Sequence, residues 1–235
     1  MKYKRIVSGK FIERLNRFIA QVEVAGKLET VHVKNTGRCK ELLLPGTEVF
    51  LEKSDNPARK TLYDLVAVKK LRPGREPLLI NMDSQIPNQA AWEWLPNSGL
   101  FSRQAIYKRE VTYRNSRFDI FVQDGRRKAF IEVKGVTLEN NGIAMFPDAP
   151  TLRGVKHLNE LAFSQKEGFE AFILFVIQMK SVHTFAPHDT MHSEFGEALR
   201  SAARAGVKLL AMDCLITPES IKIDQPIRID LSASK

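Results

Sequence analysis

The sequence predicts two domains, a small all-β barrel followed by a mixed α/β domain, and three observations predict it. The first third of the chain consists of short runs of period-two hydrophobic alternation separated by turn residues. From Pro87 onward, helical periodicity alternates with strand-like runs. Between the two, Pro73-Gly74 and Pro77 interrupt both patterns, which puts the boundary near residue 85 and the domains at 1–85 and 86–235. A chain of 235 residues accommodates two modest cores.

In the first domain, Arg17 to Val24 alternates, Ala25-Gly26 turns, and Leu28 to Val33 alternates again, which is a hairpin. Thr47 to Glu52 follows Pro45-Gly46, and Leu62 to Lys70 follows the polar stretch Ser54-Asp55-Asn56-Pro57. Short strands so linked close as a barrel, which removes free edges. The pattern fits an OB-like or an SH3-like barrel, and a length of about eighty residues favours the OB-like one.

The second domain reads as a helix from Asn88 to Leu95, with Trp92 and Trp94 packing it on a sheet. Strands follow at Ile106 to Tyr113, Arg117 to Gln123 and Lys128 to Lys134. A helix from Thr151 to Lys166 comes next, with Thr151 as its N-cap and Leu152, Val155, Leu158 and Leu161 with Ala162 as its apolar face. A strand from Ala171 to Met179, a helix from Ser193 to Ala205 and a strand from Val207 to Cys214 complete it. Phe172 to Ile177 is a continuous apolar run, as a central strand covered on both faces requires.

Composition narrows the function classes. Hydrophobic residues at 43% and charged residues at 27% describe a globular chain. No apolar run has the length of a membrane span and the first residues do not read as a cleaved signal, so the expectation is a cytoplasmic protein without a membrane partner. Cys39 and Cys214, far apart and outside any CxxC spacing, read as free thiols. The net charge of +9, with no basic amphipathic helix, points to nucleic acid. GxxxxGK, GxGxxG, GxSxG and HExxH are absent, and His183, His188 and His192 are spaced irregularly around Pro187, as in a loop. Nothing in the sequence sets the oligomeric state.

The stretch SRFDIFVQDGRRKAFIEVKG, residues 116–135, carries the chemistry. With a four-residue loop at Asp124 to Arg127, Gln123 faces Lys128, Phe121 faces Phe130, Asp119 faces Glu132 and Arg117 faces Lys134. Phe118, Ile120, Val122, Ala129, Ile131 and Val133 then form an apolar core face. Two opposed carboxylates repel unless a cation lies between them. Mg²⁺ or Mn²⁺ is held by one or two carboxylates plus waters and substrate phosphates, and Lys134, on the same side as Glu132, would orient an attacking water. A solvated hairpin face, with Arg117 and Lys134 as surface ion-pair partners, explains the same spacing.

The pattern D-x12-E-x-K on a strand-turn-strand resembles the PD-(D/E)xK nuclease superfamily, with Phe118 where its eponymous proline would stand. Over nearly its whole length the chain resembles the sugar fermentation stimulation protein family, through NTGRCKELLLPG (35–46), SRFDIFV (116–122), IEVKGVTL (131–138), FPDAPTLRGVKHLNEL (146–161) and ILFVIQ (173–178). The resemblance implies an OB-like first domain, a restriction-endonuclease-like second domain, DNA binding with little sequence preference, and a regulatory role in maltose metabolism. By motif position it carries over Asp119, Glu132 and Lys134 as the triad, with Asp119 and Glu132 as metal ligands.

Around that triad, Arg153, Lys156 and His157 on one helix are candidate phosphate contacts, as are Arg103 and Arg117 beside the site strands. Arg38, after a turn that Gly37 permits, is a further anion contact, and Glu110 a third carboxylate. The resulting expectation is a DNA-binding protein that contacts mainly phosphates. The alternative is a Mg²⁺- or Mn²⁺-dependent nuclease.

Overall fold

At Ala25-Gly26 both φ angles are positive, +49° and +77°, the geometry that lets a two-residue turn follow the twist of its strands. In the computed structural model, which describes residues 1–35 and 37–232, that turn joins β2 (Ile19–Val24) to β3 (Lys27–Val33). Thr36, inside the first stretch of the resemblance, lies outside the described residues. With β1 (Ile6–Arg14), β4 (Glu48–Lys53) and β5 (Tyr63–Arg72), these strands run in the order β3-β2-β1-β4-β5. Parallel pairing of β3 with β5 closes the ring, so the first domain is a five-stranded OB barrel. Its interior is the alternating set Ala20, Val22, Val31, Val33, Val49, Leu51, Leu65 and Val68, all fully buried.

Two strands go beyond the sequence prediction. In β1 only Phe11 is fully buried and charged residues crowd the rest, so alternation is weak. Gly9 belongs there because a Cβ would lie 2.6 Å from Val22 Cγ1 and 2.8 Å from the Glu23 carbonyl oxygen. Beyond Pro73-Gly74, β6 (Arg75–Asn81) returns along β5. It is an edge strand, where Pro77 withholds no hydrogen bond that a neighbour needs.

The second domain begins with α1 (Ile86–Trp94), then the meander β7 (Ile106–Tyr113), β8 (Ser116–Asp124) and β9 (Arg127–Val136). Short β10 (Leu138–Asn140) and β11 (Ile143–Phe146) lead to α2 (Leu152–Lys166) and β12 (Glu170–Ile177). Then come β13 (Thr184–Pro187), α3 (Ser193–Arg204), β14 (Lys208–Thr217), β15 (Ser220–Pro226) and β16 (Arg228–Ile229). The main sheet is mixed, in the order β15-β14-β12-β9-β8-β7, with β9, β12 and β14 parallel. On β12, Phe172, Leu174 and Val176 pack toward α1, while Ile173, Phe175 and Ile177 pack toward α2 and α3. A small second sheet, β10-β11-β13-β16, has strands too short to leave a readable period.

The predicted helix on residues 151–166 forms with Thr151 as its N-cap, the side-chain oxygen accepting from Gly154 N at 3.0 Å. Of its predicted apolar face, Val155, Leu158, Leu161 and Ala162 pack on the core, and Leu152 departs. Leu152 is 77% exposed, and the inward stripe is Gly154, His157, Leu158 and Leu161.

The domains are tied together through polar groups. Asn81 N donates to the Gln178 carbonyl at 2.9 Å, and Ile80 bridges Met179. Lys70 Nζ, from the barrel, donates to both the carbonyl and Oε2 of Glu139, each at 2.6 Å. Glu139 is buried; burial raises its pKa, but Lys70 and the Gly142 amide more than offset this and hold it below the ordinary carboxylate value. Lys70→Met strands that charge, and a loss of about 3–5 kcal/mol in urea unfolding is expected. The double variant with Glu139→Gln recovers most of it.

Candidate metal centre

The β8–β9 hairpin has the predicted register, Phe121 opposite Phe130 and Gln123 opposite Lys128. Its turn has two residues, Gly125-Arg126, where the spacing predicts four, because Asp124 and Arg127 still pair and Gly125 adopts φ +59°. The β8–β9 ladder runs out to Ile120 opposite Ile131, one step short of Asp119. On the other edge, Glu110 sits in left-handed φ, +54°, between the pairs Arg109–Ile120 and Val111–Phe118.

This distortion reorders the faces. Phe118, predicted to share the face of Ile120, instead packs on the α2 side against Phe130, at 5.0 Å, and His157, at 6.1 Å between ring centroids. Asp119 is turned so that Oδ2 accepts from Val133 N and Oδ1 from Asn88 Nδ2, both at 2.7 Å.

Glu132 is 2% exposed, which a solvated hairpin face does not produce. Its Oε1 accepts from Lys134 Nζ and from His157 Nδ1. His157 is buried, with Nδ1 on the glutamate side and Nε2 within 3.4 Å of Arg153 Nε. Glu132 Oε2 is buried with no protein partner.

The two carboxyls respond in opposite directions. Burial, then the charge of Glu132, pushes the Asp119 carboxyl up, against the pull of the Val133 amide, Lys134 and Asn88. Burial pushes Glu132 up as well, yet the His157 hydrogen bond and the Lys134 charge outweigh it and hold Glu132 low. Glu132 is therefore held through one oxygen only, and the countercharge near Asp119 does not offset its burial and the charge of Glu132.

The residues fit a divalent cation in part. Among the described residues no three His, Cys, Asp or Glu side chains converge as a ligand set. Two carboxylates, one with a bare buried oxygen, are nevertheless what Mg²⁺ or Mn²⁺ takes when water and phosphate complete its shell.

Asp119, Glu132, Lys134 and His157 come together, with Arg153 behind the imidazole. His157 faces the carboxylate rather than solvent, so it positions Glu132 instead of meeting a phosphate. Its place on the stripe Gly154, His157, Leu158, Leu161 is the sequence signal for that burial. The exposed Lys156 is bound to the Asn115 carbonyl. Arg117 pairs with Glu110 at 3.6 Å, both more than half exposed, which takes Glu110 out of the site. Arg103 is an exposed residue beside Ser102, which holds Asp124 at the hairpin tip, five residues from Asp119 and so about 16 Å along the strand.

Asn88 and Arg14 were not among the sequence-predicted residues. Arg14 donates to four carbonyls, of Arg17, Asn35, Gly37 and Arg38, at 2.6–2.8 Å, and so shapes the loop that presents Arg38. Arg38 lines a crevice of about 450 Å³ with Arg14, Arg17, Lys40 and Ala149. Gly37 is glycine because an added Cβ would lie 2.0 Å from Asp148 Oδ2. Gly37→Ala is expected to lower stability by about 1–3 kcal/mol, read by denaturant unfolding, and Asp148→Ala in the same chain to relieve it.

Comparison with known proteins agrees over the whole chain. The family model described as SfsA N-terminal OB domain matches residues 12–80, and that described as sugar fermentation stimulation protein RE domain matches 85–220. A sugar fermentation stimulation protein homolog of Ruminiclostridium cellulolyticum is 54% identical over 98% of this chain and 100% of its own. One from Desulfitobacterium hafniense is 53% identical over 98% of this chain and 99% of its own. Among solved structures, Pyrococcus furiosus SfsA in complex with Ca²⁺ is 26% identical, covers 98% of both chains and superposes with a TM-score of 0.84. The chain belongs to the sugar fermentation stimulation protein family.

Proposed function

We propose that the chain binds DNA through its phosphates and hydrolyses phosphodiester bonds at a divalent-cation site held by Asp119 and Glu132. The observation that carries this reading is the bare Oε2 of a glutamate that is buried, ionised and fixed through its other oxygen. A buried carboxylate oxygen without a donor is an unmet interaction, and a hard cation meets it. The Ca²⁺ of the Pyrococcus furiosus relative supports a divalent ion of that class.

Bound there, Mg²⁺ or Mn²⁺ would polarise the phosphodiester and acidify a coordinated water. The chain's own residues do the rest. His157 and Lys134 hold Glu132 in one rotamer and in its charged form. Lys134 Nζ, on the same oxygen, places a positive charge beside an incoming phosphate. Asn88 and the Val133 amide aim Asp119. Net charge of +9 supplies non-specific attraction for the DNA backbone. The family's sugar phenotype then follows indirectly, from an action on DNA that alters gene expression.

The test is incubation of linear duplex, single-stranded and branched DNA with Mg²⁺ or Mn²⁺. Product that disappears with EDTA and in Glu132→Gln supports the reading. Intact DNA on all three substrates, with binding that persists in EDTA and weakens steeply with salt, leaves a DNA-binding protein without hydrolysis.

A further inference from the structure

A cavity of about 160 Å³ opens between the barrel and the second domain at Gly135, the residue after Lys134. Asn35, Ser84, Thr137, Asp148 and Gln178 give it polar walls. An apolar cavity of about 150 Å³ holds one benzene ring, so this one has the size for a single small heterocycle.

Gln178 sets the chemistry. It is 1% exposed, and its Nε2 faces the Asn81 carbonyl at 3.1 Å, Asn81 Oδ1 at 2.9 Å and the Asp83 carbonyl at 3.1 Å. Three acceptors on one side fix the amide, so Oε1 points the other way, toward Gly135, where an added Cβ would lie 2.5 Å from it. Among the described residues none donates to Oε1, which borders the cavity. Asp148 presents a second acceptor there, its carboxyl pushed up by burial and pulled partly back by His188. A wall of acceptors selects a ligand edged with N–H donors.

The surroundings identify that ligand. Gly37 borders both this cavity and the basic crevice that contains Arg38 and Lys40. On the other side, Gly135 is three residues from Glu132, about 10 Å along the strand. An anion site, a polar ring-sized cavity and the carboxylate pair therefore follow one another.

We propose that the cavity seats one unpaired nucleobase, its amino or imino edge on Gln178 Oε1 and Asp148, while a neighbouring phosphate lies on Arg38 and Lys40. The inference rests on the reading of the carboxylates as a phosphodiester site. It makes the substrate a single strand, an overhang or a nucleotide turned out of its helix, since a stacked base does not reach such a cavity.

The test is equilibrium binding in EDTA, where no cleavage occurs, followed by fluorescence anisotropy of a labelled single-stranded oligonucleotide. An oligonucleotide of equal length built from abasic sites is the comparison. The intact strand is expected to bind roughly 5- to 100-fold tighter. Ser84→Leu, at the exposed mouth, is expected to erase that difference and to leave the abasic strand's affinity unchanged. Equal affinity for the two strands in the unaltered chain, undiminished discrimination in Ser84→Leu, or no binding of either strand overturns the inference. Discrimination without any Mn²⁺-dependent product would instead leave the base site standing and remove the hydrolysis.

Discussion

Asp119→Asn is expected to abolish metal-dependent cleavage and at the same time to make the metal-free protein more stable. The asparagine keeps both contacts, accepting from the Val133 amide and donating to Asn88 once that exposed amide turns over. What it removes is one of two like charges. Between like charges several ångströms apart, at an effective dielectric of about 20, the repulsion is of the order of a few kcal/mol. Asn88, Val133 and Lys134 already relieve part of it, so a gain of about 1 kcal/mol in urea unfolding is expected. The sign agrees with the titration: the folded Asp119 carboxyl is raised, so it weakens the fold above the ordinary value of 3.8 and ceases to as pH falls. Loss of a cation that supplies several kcal/mol lowers the cleavage rate by roughly a thousandfold or more. Added Mn²⁺ should raise the melting temperature of the unaltered chain and leave that of the variant where it is.

His157→Ala acts in the opposite direction on stability. It strips Glu132 of its main donor inside the protein and leaves a cavity beside Phe118. A hydrogen bond to a buried charge and the lost packing together amount to about 2–4 kcal/mol. Glu132 has a lowered folded pKa, so its contribution is present above 4.5, the ordinary value, and is lost as pH falls through the folded pKa. In the variant that acid-side loss moves to higher pH, which a pH series of unfolding curves detects. Cleavage and cation affinity fall together by roughly 10- to 100-fold. His157→Gln, which keeps an N–H toward the carboxylate, recovers part of both. An unaltered acid limb would show that His157 merely fills space.

What the sequence made legible follows from the range of the interactions involved. The barrel strands β2 to β5 and the β8–β9 register rest on period two and turn residues, which are local. The bend that moves Phe118 to the α2 side depends on Glu110 in the neighbouring strand and was invisible along β8 alone. Asp119 and Glu132 stood out because like charges in register need a reason. Their supports did not, since Asn88 lies 31 residues from Asp119 and His157 lies 25 from Glu132. His157 was readable in principle, from its place on the buried stripe of α2. Treating Leu152 as the start of that stripe rotated the helix and put His157 outside. Gln178 carried no local signal at all, because its partners Asn81 and Asp83 come from the end of the barrel.

The central claim is that the paired carboxylates are built for a cation. The most direct measurement is titration of Mn²⁺ into the metal-free protein, followed by the paramagnetic enhancement of water relaxation, with Asp119→Asn and Lys70→Met alongside. The account predicts saturable binding at one strong site in the unaltered chain, its retention in folded Lys70→Met, and its loss in Asp119→Asn. No saturable binding in the unaltered chain, or equal binding in Asp119→Asn, would contradict it.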